Sequence, residues 1–165
     1  MPESSRSKHL IIAGTNKSGT TAVFRYLGDH PDVSLSRLKE SQFFLTPLEE
    51  RGDDVREAYL AQFLDQSSPS TLYVEATPQY LPAGSRVSRR IAAVLPDAKI
   101  LFMLRNPADR VTSYFRSSYG QPQLPTHGIE FDQFVDEAVA SMQVDASACL
   151  LYTSDAADDL VSVWG

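Results

Sequence analysis

Cysteine is almost missing from this sequence: Cys149 is the only one among 165 residues. A single thiol forms no internal disulfide and no multi-cysteine metal cluster. Histidine is sparse too, and His9, His30 and His127 show no ligand spacing, so no metal is expected. Long apolar runs are absent, since nothing approaches the roughly 18 residues of a membrane span; no membrane partner is expected. Basic residues are outnumbered, with 15 Lys and Arg against 21 Asp and Glu and a net charge of −6. That balance argues against a general nucleic-acid binder. The opening "MPESSRSKHLIIAG" lacks a signal peptide, because "LIIAG" is too short for an apolar leader core. A cytoplasmic enzyme is the resulting expectation.

What is present is ordinary for a globular chain: 42% hydrophobic and 22% charged residues. The length suits one domain that buries about two-thirds of its unfolded surface. "KHLIIAG" reads as a buried parallel strand ending in glycine. A helix follows from near Gly19 to His30, with Ala22, Val23, Tyr26 and Leu27 as its inner stripe. "DVSLSR" is a weak strand. "DDVREAYLAQFLDQ" is predicted helical with Val55, Tyr59 and Phe63 on one face, and "SSPS" is a loop. "TLYVEATP" is a strong strand, and "GSRVSRRIAAVLP" a helix with Val87, Ile91 and Val94 inward. "AKILFMLR" is the most hydrophobic strand.

The next helix, in "NPADRVTSYFRSSYG", has Asn106 as N-cap, Pro107 at its first position and Asp109 at its positive end. Its inner stripe is Val111, Tyr114, Phe115 and Ser118. "GQPQLPTHG" is a loop and "FDQFVDEAVASM" a last helix. Strands alternating with helices predict an α/β fold: three layers, a parallel sheet with flanking helices.

The stretch "AGTNKSGTTAVFRYLGDHP" carries the chemistry. Gly14 and Gly19 have the spacing of a phosphate-binding loop, in the strand–loop–helix context that such a loop requires. Successive backbone N–H groups and the helix N-terminus attract an anion. Yet Thr20 stands where a kinase needs lysine, and Lys17 lies within the loop. A γ-phosphate would be poorly neutralised there. A sulfonate carries less charge and needs no magnesium clamp. Two glycines alone also fit a tight turn that binds nothing, and a nucleotide kinase is the alternative within the same class.

"ILFMLRNPADRVTSYF" puts Arg105 at the carboxyl end of a strand and Ser113 two helical turns on. Open parallel sheets bind ligands at that end, and arginine can grip a phosphate with two donors. With "GTNKSGTT" and "RNPADRVTS" both in place, the chain resembles the sulfotransferases that use 3′-phosphoadenosine 5′-phosphosulfate. That resemblance implies a P-loop NTPase-like fold without a metal. It implies that Asn16, Lys17, Ser18, Gly19, Thr20 and Thr21 hold the 5′-phosphosulfate, with Lys17 stabilising the leaving oxygen. Arg105 and Ser113 would hold the 3′-phosphate, and the product would be adenosine 3′,5′-bisphosphate.

"LKESQFF" resembles a K-E-x-x-F-F segment of the heparan-type and related bacterial branch, which gives Glu40 the role of acceptor base. The plainer reading of Lys39 and Glu40 is a solvated pair at a strand end. A carbohydrate or another small acceptor is implied. "VEATPQY" resembles a further family segment in which some members carry lysine at the place of Ala76. Glu75 is either a second polar contact or a sheet-edge residue. The resemblance runs from Lys8 to about Met142. From Cys149, "CLLYTSDAADDLVSVWG" resembles a translated sequencing adapter, so residues 1–148 are expected to be the amino-terminal part of a sulfotransferase domain and 149–165 a non-native tail. A truncated, inactive fragment is then a second alternative.

Overall fold

The computed structural model describes residues 8–63, 71–120 and 128–144. The expected loop at 67–70, most of the loop after Gly120 and the tail at 149–165 lie outside the described residues. Four strands form the sheet: β1 (Lys8–Ile12), β2 (Val33–Leu35), β3 (Leu72–Ala76) and β4 (Lys99–Leu101). Every pairing is parallel, in the order β2-β3-β1-β4. After β1 the chain builds to one side and later crosses to the other. The carboxyl end of β1 is therefore a topological switch point, where open α/β sheets leave a crevice.

Helices cover both faces: α1 (Thr20–Gly28), α2 (Val55–Leu60), α3 (Ser85–Val94), α4 (Pro107–Ser118) and α5 (Phe131–Val144). Side chains alternate across each strand. Ile11 and Tyr73 join Phe44, Tyr59, Val87 and Ile91 in one core. Their neighbours Ile12 and Val74 join Phe24 in the other. The α3 stripe is as expected, with Val87 and Ile91 buried and Val94 packed against the same core.

Several local expectations change. The inner face of α1 is Thr20, Val23, Phe24 and Leu27, while Tyr26 is 77% exposed. The phosphate-type loop sets where the helix begins its rotation, and that puts Phe24 rather than Tyr26 against Ile12. The predicted helix through Phe63 ends at Leu60. There the Arg37 N–H bonds to the Gln62 carbonyl at 2.7 Å, and Phe63 bridges Ser36, which draws the chain into extended pairing. Phe63 is still buried. Only Lys99–Leu101 of "AKILFMLR" pairs as strand, at the sheet margin, so Phe102 and Leu104 remain exposed. None of the expected α4 stripe is buried; Phe115 packs instead on Phe131 and Phe134 of α5, with ring centroids 5.2 and 5.4 Å away. The capping prediction holds, since Asn106 Oδ1 accepts from the Ala108 and Asp109 N–H groups.

His9 sits inside the aromatic core at 3% exposure, 5.3 Å from the Tyr73 ring, and neither ring nitrogen has a hydrogen-bond partner among the described residues. Burial, with the nearby Arg56 charge, pulls its pKa from 6.5 down to about 4. The unfolded chain therefore binds a proton between those values that the folded chain refuses. Stability contributed by neutral His9 is complete above pH 6.5 and is lost as pH falls toward 4, by up to about 3 kcal/mol. Buried Glu75, whose pKa is raised, acts with opposite sign above the ordinary carboxyl range. Comparing variants isolates the histidine: His9→Phe should flatten the rise in urea midpoint from pH 4 to 6.5. An unchanged slope would reject this role.

Candidate active site

The loop after β1 is fastened to the chain leaving β4. The Ala13 N–H donates to the Leu101 carbonyl at 2.9 Å, and the Thr15 N–H to the Met103 carbonyl at 3.1 Å. Gly14 is needed for this approach, because a Cβ there would lie 2.8 Å from the Met103 Cβ and carbonyl oxygen. The loop then turns through two left-handed residues, Lys17 at φ 69° and Gly19 at φ 90°. The lysine conformation costs roughly 1–2 kcal/mol relative to an ordinary one. Gly19 opens α1 without any side-chain cap, and a helix N-terminus of this kind is suited to an anion.

Arg105 follows β4 and returns to this loop, its Nη1 donating to the Lys17 carbonyl at 3.2 Å. An open cleft of about 380 Å³ lies over the junction. Asn16, Lys17, Gly19, Thr20 and Thr21 line one side, and Arg105 and Ser113 another. Glu40 lines it as well. Eight of the nine site residues expected from sequence thus border one space. Ser18 is different: its hydroxyl is buried against Thr15 Oγ1 and its N–H bonds to the Thr15 carbonyl, so it builds the turn.

Glu40 reaches the cleft from the segment after β2. Its N–H bonds to the Ala76 carbonyl at 2.8 Å, and φ is 63°. Its carboxylate accepts from Lys39 Nζ and, at 3.2 Å, from Gln79 Nε2. Partial burial pushes its pKa up, but these two donors and the lysine charge outweigh that and hold it below the usual carboxyl value. Glu40 is therefore ionised at neutral pH, the state a proton acceptor requires. The expectation of a merely solvated pair is incomplete, since Gln79 is a second partner. Phe43 and Phe44 anchor the same segment, with Phe43 stacked edgewise on Tyr59 at 5.3 Å and Phe44 fully buried.

Glu75 is not at a sheet edge. It lies on β3, between β2 and β1, with 0% exposure. Pro78, Tyr114 and Ser117 also line the cleft and were not singled out from sequence as site residues. Ser117 was discoverable, because it follows Ser113 by one helical turn. Pro78 had no such signal.

Comparison with known proteins fits this geometry. The sulfotransferase domain family matches residues 7–153, and the chain belongs to that family. It is 38% identical over 117 residues to the mouse (Mus musculus) bifunctional heparan sulfate N-deacetylase/N-sulfotransferase 1, covering 67% of this chain and 13% of that protein. It is 30% identical over 126 residues to human (Homo sapiens) heparan sulfate glucosamine 3-O-sulfotransferase 6, covering 76% of this chain and 35% of the relative. The chain therefore spans only a small part of these curated relatives. A crystal structure of a sulfotransferase from Alicyclobacillus acidocaldarius superposes with a TM-score of 0.68 at 25% identity, covering 94% of this chain and 68% of that one. The fold is the P-loop-like α/β fold of sulfotransferases, and the family implies a sulfate donor.

The loop geometry carries a direct test. Gly14→Ala should destabilise by about 1–3 kcal/mol, because two of its three nearest obstacles, the Met103 Cβ and carbonyl oxygen, cannot rotate away. Urea denaturation measures this, and a change within 0.5 kcal/mol (about the spread of ordinary surface substitutions) would contradict the packing described.

Proposed function

We propose that this domain transfers a sulfuryl group from 3′-phosphoadenosine 5′-phosphosulfate to a hydroxyl or amine of a carbohydrate. The observation that carries this reading is the single cleft bordered by Lys17, Arg105, Ser113 and Glu40. The donor supplies a sulfuryl group activated by its bond to phosphate. The uncapped start of α1, with Thr20 and Thr21, receives the 5′-phosphate side. Lys17 offers its ammonium to negative charge on the leaving oxygen, a preorganised electrostatic role. Arg105 and Ser113 hold the 3′-phosphate by charge-assisted hydrogen bonds. Glu40, held ionised, takes the acceptor proton.

The carbohydrate assignment is supported by the relatives, whose names specify heparan sulfate and both N- and O-sulfation.

Incubation with ³⁵S-labelled donor and N-deacetylated or unsulfated polysaccharide tests transfer. Lys17→Ala should lower the rate about 10²–10³-fold, and near-wild-type turnover would remove lysine from the mechanism. Arg105→Ala combined with Ser113→Ala should erase a preference of roughly 10²-fold for adenosine 3′,5′-bisphosphate over adenosine 5′-phosphate. Calorimetry giving the same preference in variant and wild type would reject the 3′-phosphate assignment.

A further inference from the structure

We propose that Glu75 is a positioning residue for Glu40, fixing through hydroxyl contacts the segment that carries this carboxylate into the cleft. The proposal rests on the reading of Glu40 as proton acceptor. Glu75 itself touches neither the cleft nor Glu40. It is fully buried on an inner strand, and its Oε1 accepts three hydrogen bonds: from Ser41 Oγ at 2.6 Å, Tyr80 OH at 2.6 Å and Thr77 Oγ1 at 2.9 Å.

Each of these hydroxyls grips the segment at a different residue. Ser41 belongs to it and adjoins Glu40. Thr77 Oγ1 accepts from the Gln42 N–H at 3.4 Å, and the Tyr80 hydroxyl accepts from the Phe44 N–H at 3.1 Å. One carboxyl oxygen thus collects donors that tie down residues 41, 42 and 44, while Glu40 bonds to the carbonyl of Ala76, next to Glu75. The same turn supplies Gln79, which donates directly to Glu40.

Backbone strain explains why such anchoring is required. Glu40 and Gln42 are both left-handed, at φ 63° and 57°, on either side of Ser41. Non-glycine residues hold that conformation only where their surroundings overdetermine it. An apolar residue at position 75 would fill the core but accept no hydroxyl.

Burial raises the pKa of Glu75, opposed by the donors Ser41, Tyr80 and Thr77. Neither Oε2 nor the Tyr59 hydroxyl has a hydrogen-bond partner among the described residues.

Ser41→Ala tests the link without emptying the core. It should lower kcat about tenfold or more, as misplacing a reacting group does. Affinity for adenosine 3′,5′-bisphosphate and the melting temperature should stay as in wild type. Freed from Lys39 and Gln79, the Glu40 carboxyl should titrate closer to the ordinary glutamate value, followed by ¹³C NMR of labelled glutamate. Ser41→Thr should restore both readouts. Glu75→Gln, which keeps the acceptor oxygen, should resemble wild type, and Glu75→Leu, which releases all three hydroxyls, should lower kcat at least as far as Ser41→Ala. Unchanged kcat and unchanged Glu40 titration in Ser41→Ala would overturn the proposal, as would a parallel fall in kcat, nucleotide affinity and melting temperature. If wild-type protein transfers no sulfate, the functional reading fails. The Glu40 titration then decides the Glu75 coupling by itself.

Discussion

Two neighbouring parallel strands end level with each other, and the site follows from that constraint. β1 and β4 are paired over only three positions, Leu10 to Ile12 against Lys99 to Leu101. Their outgoing chains stay together for a few residues more, through the bonds of Ala13 and Thr15 to Leu101 and Met103. The anion loop and the Arg105 guanidinium are therefore held at one place without any charged pair between them. Gly14 is the steric condition for this arrangement, and the Arg105 bond to the Lys17 carbonyl is its outcome.

The opposite wall is built by different means. Strand pairing brings the loop and Arg105 together, whereas aromatic anchoring and hydroxyl contacts bring Glu40. Phe43 and Phe44 sink into the core under α3, where Arg90 Nη1 also bonds to the Phe44 and Leu45 carbonyls. Arg51 lies over the Phe43 ring at 4.4 Å and donates to its carbonyl. An irregular segment without strand or long helix is thereby as fixed as regular structure. Loops that carry function commonly gain precision from such a rigid scaffold.

The sheet and its helices were legible because alternation of strands and helices is strongly patterned, and because Asn106-Pro107 and the two glycines punctuate it. The cleft residues were legible through three local motifs, "GTNKSGTT", "LKESQFF" and "RNPADRVTS", each following a strand. What escaped depends on the register of distant segments. Tyr26 and Phe24 differ in sequence too little to reveal which one α1 turns inward; the preceding loop decides. "AKILFMLR" is the most hydrophobic strand segment, yet it lies at the sheet margin, because position in a sheet is set by topology and not by composition. Glu75 looks like a surface residue in "VEATPQY", since its hydroxyl partner Ser41 lies 34 residues earlier. The His9 environment is similarly non-local, drawing rings from Tyr59, Phe63 and Tyr73.

The 88-residue separation between Lys17 and Arg105 also has a consequence for the order of assembly. A ribosome adding about 5–20 residues per second releases the glycine loop several seconds before its arginine. β1 must wait as well, because both of its partners come later in the chain. The nascent polypeptide thus carries a half-built cleft wall, which is completed only when β4 inserts beside β1.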